Sequence, residues 1–250
     1  MPRGPEKTPQ LIYGINAVLE ALKAGAAKKV LIGEGRREKL SLLLKEAGNR
    51  GVPVEYVKTD FFVRLPKGHQ SVGARVAEKS PASVEEMLEA ARKKGEVPFL
   101  IALDGVEDPR NLGGIMRSAL SAGVHGIIIQ KHRQAGLGPE VYNASAGAAW
   151  HLPVAVEANI KYALDELKES GFLIAGAETG GHLAPWDVDM RGPLLLIFGG
   201  EDAGIRKIIK ERCDFILSLP LRGEIGSLNV SVSAGVFIFE VLRQRAKGPA

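Results

Sequence analysis

The first part of the chain alternates helical and strand patterns that are typical of a small α/β unit. Ile15, Val18, Leu19 and Leu22 recur at helical spacing, and Gly25 follows as a stop signal. The same patterning predicts a strand at residues 29–32, a helix over 40–47 and a strand at 52–57, with the segment ending near 73–77. We therefore expect a small domain over residues 11–77, preceded by a flexible, polar and proline-rich N-terminus at 1–10.

A connector with its own helix separates this domain from the rest of the chain. Ser83 and Glu86 have the spacing of a capping box, an apolar stripe follows, and Gly95 closes the helix. The domain boundary is expected within residues 78–97, so that the second domain covers residues 98–250.

From Pro98 onward, apolar runs end in loops that carry glycine or proline. Runs of this kind predict fully buried strands, and helical segments separate several of them, which favours a mainly parallel sheet covered on both faces. The predicted strands are 99–103, 126–130, 172–177, 194–198 and 215–219. In such α/β sheets, ligands bind at the loops beyond the carboxyl ends of the strands.

Composition narrows the partners only slightly. Hydrophobic residues make up 45% and charged residues 25% of the 250 residues, as in ordinary globular proteins. The net charge of +4 is compatible with a polyanionic partner without indicating one. A single cysteine excludes a disulfide framework, and no histidine or cysteine spacing suggests a metal site. No apolar run is long enough to span a bilayer, and a cytoplasmic location is expected.

Three strand-to-loop junctions carry unusual residues, and the first reads DGVEDPRNLGGIMR from Asp104. Asn111 and Arg117 flank a pair of glycines, Gly113 and Gly114, at a predicted helix start. Paired glycines let a backbone approach a ligand closely. Taken alone, however, the stretch favours a tight turn in which Asn111 is the helix N-cap and Arg117 is exposed on the helix.

The second junction reads IFGGEDAG from Ile197 and matches neither a dinucleotide-binding fingerprint nor a P-loop. Glu201 follows a buried strand, so it either complements the dipole of the next helix or contacts a ligand. The third reads LSLPLRGEIGSLNVSVS from Leu217. Ser227 or Asn229 fits a helix cap there, yet so many short polar groups at the mouth of an apolar helix need partners that a ligand would provide.

Together these stretches resemble the three motifs of the SpoU/TrmH family, within the SPOUT superfamily of RNA methyltransferases. The matching patterns are N-x-G-x-x-x-R from Asn111, G-x-E-x-x-G from Gly199, and LP-x-x-G-x-x-x-SLNVSV from Leu219. The opening IYGINAVLEAL and the stretch 69–76 also resemble the N-terminal substrate-binding domain of the RlmB branch, which methylates a guanosine ribose in 23S ribosomal RNA.

The resemblance implies an α/β SPOUT domain with a deep trefoil knot and a small N-terminal α/β substrate-binding domain. Knots are nearly absent from proteins, so connection rules alone would exclude this topology. The resemblance further implies S-adenosyl-L-methionine as cofactor, RNA as partner, no metal, and a homodimer whose active site draws on both subunits.

Particular residues take their expected roles from the same motifs. The implied catalytic residues are Arg117, Asn111, Glu201, Ser227 and Asn229, and the implied cofactor contacts are Thr179, Gly180, Gly199, Gly200, Leu219 and Leu228. Considered alone, Leu219 and Leu228 favour core packing. Arg117 is assigned to the ribose hydroxyl, a weak acid that must lose its proton. Because arginine normally stays protonated, stabilisation of an oxyanion or orientation of a phosphate is an alternative to general-base action.

Several functions remain open from the sequence. The ribose 2′-hydroxyl distinguishes RNA from DNA, and an N-terminal domain with basic residues suits recruitment of an unpaired RNA loop, although those charges equally fit a solvated face. A ribose of tRNA is one alternative substrate, although the simplest tRNA-modifying members lack an N-terminal domain. An antibiotic-resistance methyltransferase, a non-catalytic RNA-binding protein and, on texture alone, a nucleotide-dependent oxidoreductase are the others.

Overall fold

Strands and helices alternate along most of the chain. The structure is a computed structural model, and it describes residues 9–35, 40–132, 134–224 and 226–246. The strands are β1 (Gln10–Tyr13), β2 (Ala27–Gly33), β3 (Val54–Val57), β4 (Val72–Val76), β5 (Phe99–Asp104), β6 (Gly126–Gln130), β7 (Val154–Glu157), β8 (Leu173–Ala177), β9 (Leu194–Gly199) and β10 (Phe215–Leu217).

The helices are α1 (Ile15–Lys23), α2 (Ser41–Asn49), α3 (Asp60–Val63), α4 (Val84–Lys94), α5 (Pro109–Ser121), α6 (Pro139–Ala144), α7 (Ala148–His151), α8 (Ile160–Glu169), α9 (Lys207–Lys210) and α10 (Val230–Arg245). A short 3-10 helix spans Pro185–Asp187. No helix among the described residues is long and apolar enough to cross a membrane.

The first compact unit is built on a four-stranded mixed sheet. Its strand order is β1-β4-β2-β3, with β4 antiparallel to both β1 and β2, and β3 parallel to β2. The helix predicted to stop at Gly25 is α1, and its buried face includes Val18 and Leu22. The sequence pattern missed β1 and α3, which are too short to show a clear period. Residues 1–8 of the expected flexible N-terminus lie outside the described residues.

The segment 137–151 packs with this first unit, although the sequence pattern places it in the second domain. The Tyr13 N–H donates to Asn143 Oδ1 at 3.1 Å, and the rings of Tyr142 and Trp150 stack with centroids 3.8 Å apart. His151 Nε2 lies 2.8 Å from Glu20 Oε2. These contacts join residues more than a hundred positions apart, so no local pattern announces them.

The second unit is built on six strands that are all parallel, in the order β10-β8-β9-β5-β6-β7. The predicted parallel sheet is confirmed, and the strand missed from the sequence is β7. The last predicted strand ends two residues early, at Leu217, because Ser218 N–H donates instead to the carbonyl of Leu183 at 2.8 Å. The trefoil knot stays a prediction of the resemblance.

The helix expected in the connector, α4, is part of the second unit's core. Ser83 is its N-cap and the capping box forms, with Ser83 Oγ accepting from Glu86 N–H at 3.1 Å, while Gly95 takes a left-handed conformation at φ +67°. Met87 and Leu88 are buried in the same cluster as strand residues of the sheet. The second unit thus begins at Pro81 and not at residue 98.

Strand order determines where a ligand can bind. The chain passes from β5 outward to β6 and β7 on one side, and from β9 to β10 on the other side, although β5 and β9 are neighbours. A crevice opens at the carboxyl ends of two such strands, because their connections diverge. Asp104 at the end of β5 lies beside Gly199 at the end of β9. All three unusual loops follow strands at this edge of the sheet.

We expect loss of the α4 cap to destabilise the second unit measurably. Ser83→Ala removes the acceptor for the Glu86 N–H and should lower the free energy of unfolding by about 1 kcal/mol. Ser83→Asp keeps an acceptor there and serves as the matched control. Urea unfolding followed by circular dichroism would measure both, and equal stabilities of the two variants would contradict a capping role for Ser83.

Candidate functional site

Two cavities lie at the carboxyl edge of the second unit's sheet. The first has a volume of about 440 Å³ and is lined by residues 177–179, 198–204, 218–219, 221, 227–230, 233 and 237. The second has a volume of about 400 Å³ and is lined by residues 104–108, 111, 130, 200–204, 206 and 230. They share the loop 200–204, which we call the shared loop.

The shared loop is held against β5 by close backbone approach. Gly200 N–H donates to the Asp104 carbonyl at 3.0 Å, and Gly204 N–H donates to the Gly200 carbonyl at 3.0 Å. A Cβ on Gly199 would overlap the backbone of Gly204, and one on Gly200 would overlap the Gly105 carbonyl oxygen. Glycine is therefore required at both positions for packing within the protein, whatever ligand binds.

A polar triangle joins the three sequence motifs. Asn111 Nδ2 donates to Glu201 Oε1 at 2.9 Å, Asn229 Nδ2 donates to the same oxygen at 2.8 Å, and Asn229 Nδ2 also lies 2.9 Å from Asn111 Oδ1. Both printed bonds to the carboxylate use Oε1, so among the described residues Oε2 is left for another donor. The choice for Glu201 thus falls against a helix-dipole role, since α9 begins only at Lys207.

The helix caps differ partly from the simplest expectation. Asp108 caps α5, accepting from Arg110 N–H at 2.8 Å, so the expected N-cap role of Asn111 is wrong. Asn111 lies inside the first turn and is 8% exposed, because its amide is used by the triangle. Asn229 is the N-cap of α10, and its Oδ1 accepts from Ser231 N–H at 3.0 Å.

The expectation that Gly113 and Gly114 admit a ligand is not met at Gly114. A Cβ on Gly114 would lie 3.0 Å from the Cβ of Ser231, so its small size lets α5 approach α10. The third motif is therefore brought to the first by helix packing as well as by the triangle. The polar start of α10 finds its partners largely in Asn229 and in the neighbouring helix.

Two ion pairs brace the site, and the sequence pattern singled out neither. Asp104 is 3% exposed, and it accepts from Arg206 Nε at 2.7 Å and from Arg206 N–H at 2.8 Å, while Arg206 Nη2 donates to Gln130 Oε1 at 2.6 Å. Glu178 accepts from Ile205 N–H at 3.2 Å. Its other oxygen pairs with Lys210 Nζ at 2.5 Å. Polar residues directly after β5 and β8 were the available signal.

Most expected site residues meet at the first cavity. Its lining includes Glu201, Ser227, Asn229, Thr179, Gly199, Gly200, Leu219 and Leu228. Asn111 borders the second cavity instead, and Gly180 belongs to the lining of neither. Leu219 and Leu228 line the cavity, so core packing is not their arrangement, and Leu228 is in fact exposed.

Arg117 stands apart from the residues it was expected to join. It is exposed on α5 and lines neither cavity, and its carbonyl accepts from Ser121 Oγ at 2.8 Å. Six residues along a helix turn Arg117 well away from the direction of Asn111. One chain, in the part that is described, therefore presents the carboxylate and amides of the site without its arginine.

The first cavity fits S-adenosylmethionine chemically. Phe198, Leu219 and Leu228 supply apolar walls suited to a flat adenine ring, and backbone groups of the shared loop lie within reach as hydrogen-bond partners. The carboxylates of Glu178 and Glu201 suit the cationic end of that molecule. No cluster of metal-binding side chains occurs among the described residues, which gives the cavity no means to hold a metal ion.

Family models match both parts of the chain. The model of the SpoU rRNA Methylase family matches residues 98–239, and the model described as RNA 2'-O ribose methyltransferase substrate binding matches residues 11–82.

Individual relatives agree with the family models. A protein of Bacillus subtilis (strain 168), YacO, assigned to the TrmH family of tRNA/rRNA methyltransferases, is 38% identical over 242 residues, which cover 94% of this chain and 95% of YacO. A relative from Staphylococcus aureus (strain COL) with the same assignment is 36% identical over 240 residues, covering 94% and 96%. Among solved structures, the SpoU methyltransferase AviRb of Streptomyces viridochromogenes in complex with AdoMet superposes with a TM-score of 0.78 at 24% identity, covering 95% of this chain and 91% of AviRb.

We expect substitution of Asn229 to separate helix capping from support of Glu201. Asn229→Ala removes both, and loss of the cap should lower the unfolding free energy by about 1 kcal/mol at any pH. Asn229→Asp keeps the cap but sets a second carboxylate against Glu201, which raises the pKa of one of the two in the folded state. Because the folded variant then binds a proton more tightly than the unfolded chain, its stability should rise as the pH falls.

Thermal unfolding of the wild type and both variants at about pH 8 and about pH 5 checks this. Relative to wild type, Asn229→Asp should recover stability at the lower pH while Asn229→Ala does not. Parallel pH dependences for the two variants would contradict the contact between Asn229 and Glu201.

Proposed function

The chain belongs to the SpoU/TrmH family of RNA methyltransferases, and on that premise we propose that it methylates the ribose 2′-hydroxyl of a guanosine in 23S ribosomal RNA, with S-adenosyl-L-methionine as donor. The observation that carries the proposal is the first cavity, where Glu201 and Asn229 stand beside apolar walls at the carboxyl ends of β8, β9 and β10. Bound there, the cofactor supplies an electrophilic methyl group on a sulfonium.

The triangle prepares the carboxylate for the target nucleotide. Asn111 and Asn229 orient Glu201 through Oε1, so its Oε2 faces outward as a hydrogen-bond acceptor for a ribose hydroxyl. Because Asn229 is fixed by capping α10 and Asn111 by burial in α5, neither amide has freedom to turn away. The pair therefore holds a preorganised acceptor at the mouth of the cavity.

Arg117 completes the site from a second copy of the chain in this proposal. Arg117 lies on α5 near the exposed apolar Leu120, and α10, which packs on α5, exposes Val232, Val236 and Phe239. Residues at intervals of three and four share one helix face, so these side chains form a continuous apolar strip. A two-fold homodimer through this strip would bury the strip and bring each Arg117 to the partner's site.

The role we propose for Arg117 is stabilisation of the developing ribose oxyanion or of a neighbouring phosphate. A guanidinium stays protonated in proteins, so it serves this role better than proton abstraction. A fixed fork of donors suits bidentate contact with phosphate oxygens.

Ribosomal RNA is preferred over tRNA on the strength of the first unit. The substrate-binding model covers residues 11–82, which supports an enzyme that holds a large RNA at a second place besides the active site. A cytoplasmic location forms part of the same proposal. Transfer RNA and antibiotic-target rRNA stay alternatives that the following experiment separates.

We expect methyl-labelled cofactor to transfer its label to unmodified 23S rRNA, either free or in a precursor large subunit, and not to 16S rRNA or bulk tRNA. Arg117→Ala should lower kcat by about a hundredfold or more, as for removal of an oxyanion-stabilising donor. Arg92→Ala, an exposed arginine on α4 outside both cavities, is the control. Label in tRNA alone would overturn the choice of substrate, and label in no RNA would overturn the proposal.

A mixed-subunit experiment tests the second copy. Arg117→Ala and Glu201→Ala chains, each inactive alone, should recover about a quarter of wild-type activity when mixed and allowed to exchange, because half of the sites in a heterodimer then hold both intact residues. If Arg117 acted within its own chain, no mixed dimer would hold a complete site. Phe239→Glu should yield monomers in light scattering, and a dimer that survives this change would contradict the apolar strip as interface.

A further inference from the structure

Exposed apolar side chains of the first unit gather at one end of its sheet. Among the unit's described residues, the large hydrophobic side chains that are exposed are Leu42, Tyr56, Phe61 and Val63, the last of them 74% exposed. All but Leu42 lie at β3, an edge strand, or at α3 just beyond it. Single exposed apolar residues need no explanation, whereas three gathered in one short stretch of a small domain do.

Cations without a carboxylate partner gather at the same place. Elsewhere in the unit, ion pairs neutralise several cations: Lys23 with Glu20, Lys29 with Glu55 and Arg50 with Glu46. Lys58, Arg64 and Lys67 are exposed and form no ion pair with any described residue. One carboxylate, Asp60, stands among these three cations in the sequence. The basic residues 36, 37 and 39, part of the charge noted in the sequence, lie outside the described residues.

The segment is held rigidly from below by Phe62. Its side chain is fully buried and stacks on His69 with ring centroids 5.5 Å apart, and it meets Phe61 edge-on at 5.2 Å. Gly33 on β2 and Gly73 on β4 leave room for the ring, since a Cβ on either would lie 3.5 Å from it. With Phe62 anchored between the strands, its two neighbours Phe61 and Val63 are presented to solvent without freedom to fold inward.

A rigid surface that combines aromatic rings with unpaired cations suits single-stranded RNA. Lys and Arg attract phosphates, while unpaired bases stack on aromatic rings and on the guanidinium plane. We propose that Tyr56, Lys58, Phe61, Val63, Arg64 and Lys67, the β3–α3 surface, bind an unpaired loop of the substrate RNA. This inference rests on the proposed function and goes beyond it, because it names the face that holds the RNA and the form of RNA that is held.

The apolar residues decide between unpaired and paired RNA. A double helix offers phosphates and 2′-hydroxyls across a shallow groove and gives Phe61 and Val63 nothing to stack against. Splayed bases in a loop cover both side chains. The substrate-binding model matches residues 11–82 and so includes the entire surface.

Direct RNA binding by the full-length chain tests the proposal. The probes are a fluorescently labelled hairpin-loop fragment of unmodified 23S rRNA, an unstructured RNA strand and the duplex formed from that strand. Phe61→Ala should weaken binding of the hairpin and the strand by about 5- to 100-fold, the range for loss of one base–aromatic stack. Arg64→Glu should weaken it at least as much and reduce its salt dependence. Binding of the duplex should change little with Phe61→Ala.

Matched controls come from the same unit. Leu42→Ala removes an exposed apolar side chain on α2, and Arg75→Glu reverses an exposed charge on β4 toward the other end of the sheet. Both should bind RNA within about twofold of wild type. Thermal unfolding of every variant shows that folding is retained, and Val63→Ser replaces Phe61→Ala if the latter loses its cooperative transition.

The outcomes keep this inference separate from the proposed function. If the wild type methylates RNA, the surface variants should raise KM for RNA while kcat at saturating RNA and cofactor affinity stay unchanged. If no RNA is methylated, the proposed function fails, yet loss of RNA binding in Phe61→Ala and Arg64→Glu still supports the β3–α3 surface. RNA binding equal to wild type in these variants, or equal losses in the controls, overturns the surface as an RNA site.

Discussion

The pairing of β5 with β9 is the constraint on which the site depends. Their parallel register runs from Phe99 beside Leu194 to Asp104 beside Gly199, so the ends of two strands that lie far apart in sequence reach the same point. Both strands are fully buried, and burial of their apolar side chains offsets the entropy of closing so long a loop. Only glycine at positions 199 and 200 lets the next turn fold back onto this edge.

Two carboxylates at this edge serve different purposes because their surroundings differ. Asp104 is buried and spends both oxygens on Arg206, so it fixes the base of the shared loop. Glu201 stands at the exposed tip of the same loop and is held through one oxygen by two amides. A buried charge needs a full set of partners, whereas a partly solvated one keeps capacity for a substrate.

The chemical and recognition tasks are divided between the two units. The second unit holds the cofactor-sized cavity and the polar triangle, while the β3–α3 surface of the first unit carries unpaired cations and exposed rings. Separate recognition lets affinity for a large RNA be set by stacking and charge without disturbing the geometry of the reacting groups. The position of Arg117 outside both cavities adds a further requirement, a second chain, before the chemistry is complete.

The sequence alone determined the parallel α/β sheet, the capping box of α4 and the three loops that carry the site, since each depends on local periodicity or on neighbouring residues. The trefoil knot and the dimer came only from the resemblance. Tertiary structure decided that Asp108 and not Asn111 caps α5, that Gly114 serves helix packing, and that α4 and residues 137–151 join units other than those expected. It also disclosed Arg206, Glu178 and the β3–α3 surface. These features depend on contacts between residues far apart in the chain, whose energies no local pattern of hydrophobic and polar positions encodes.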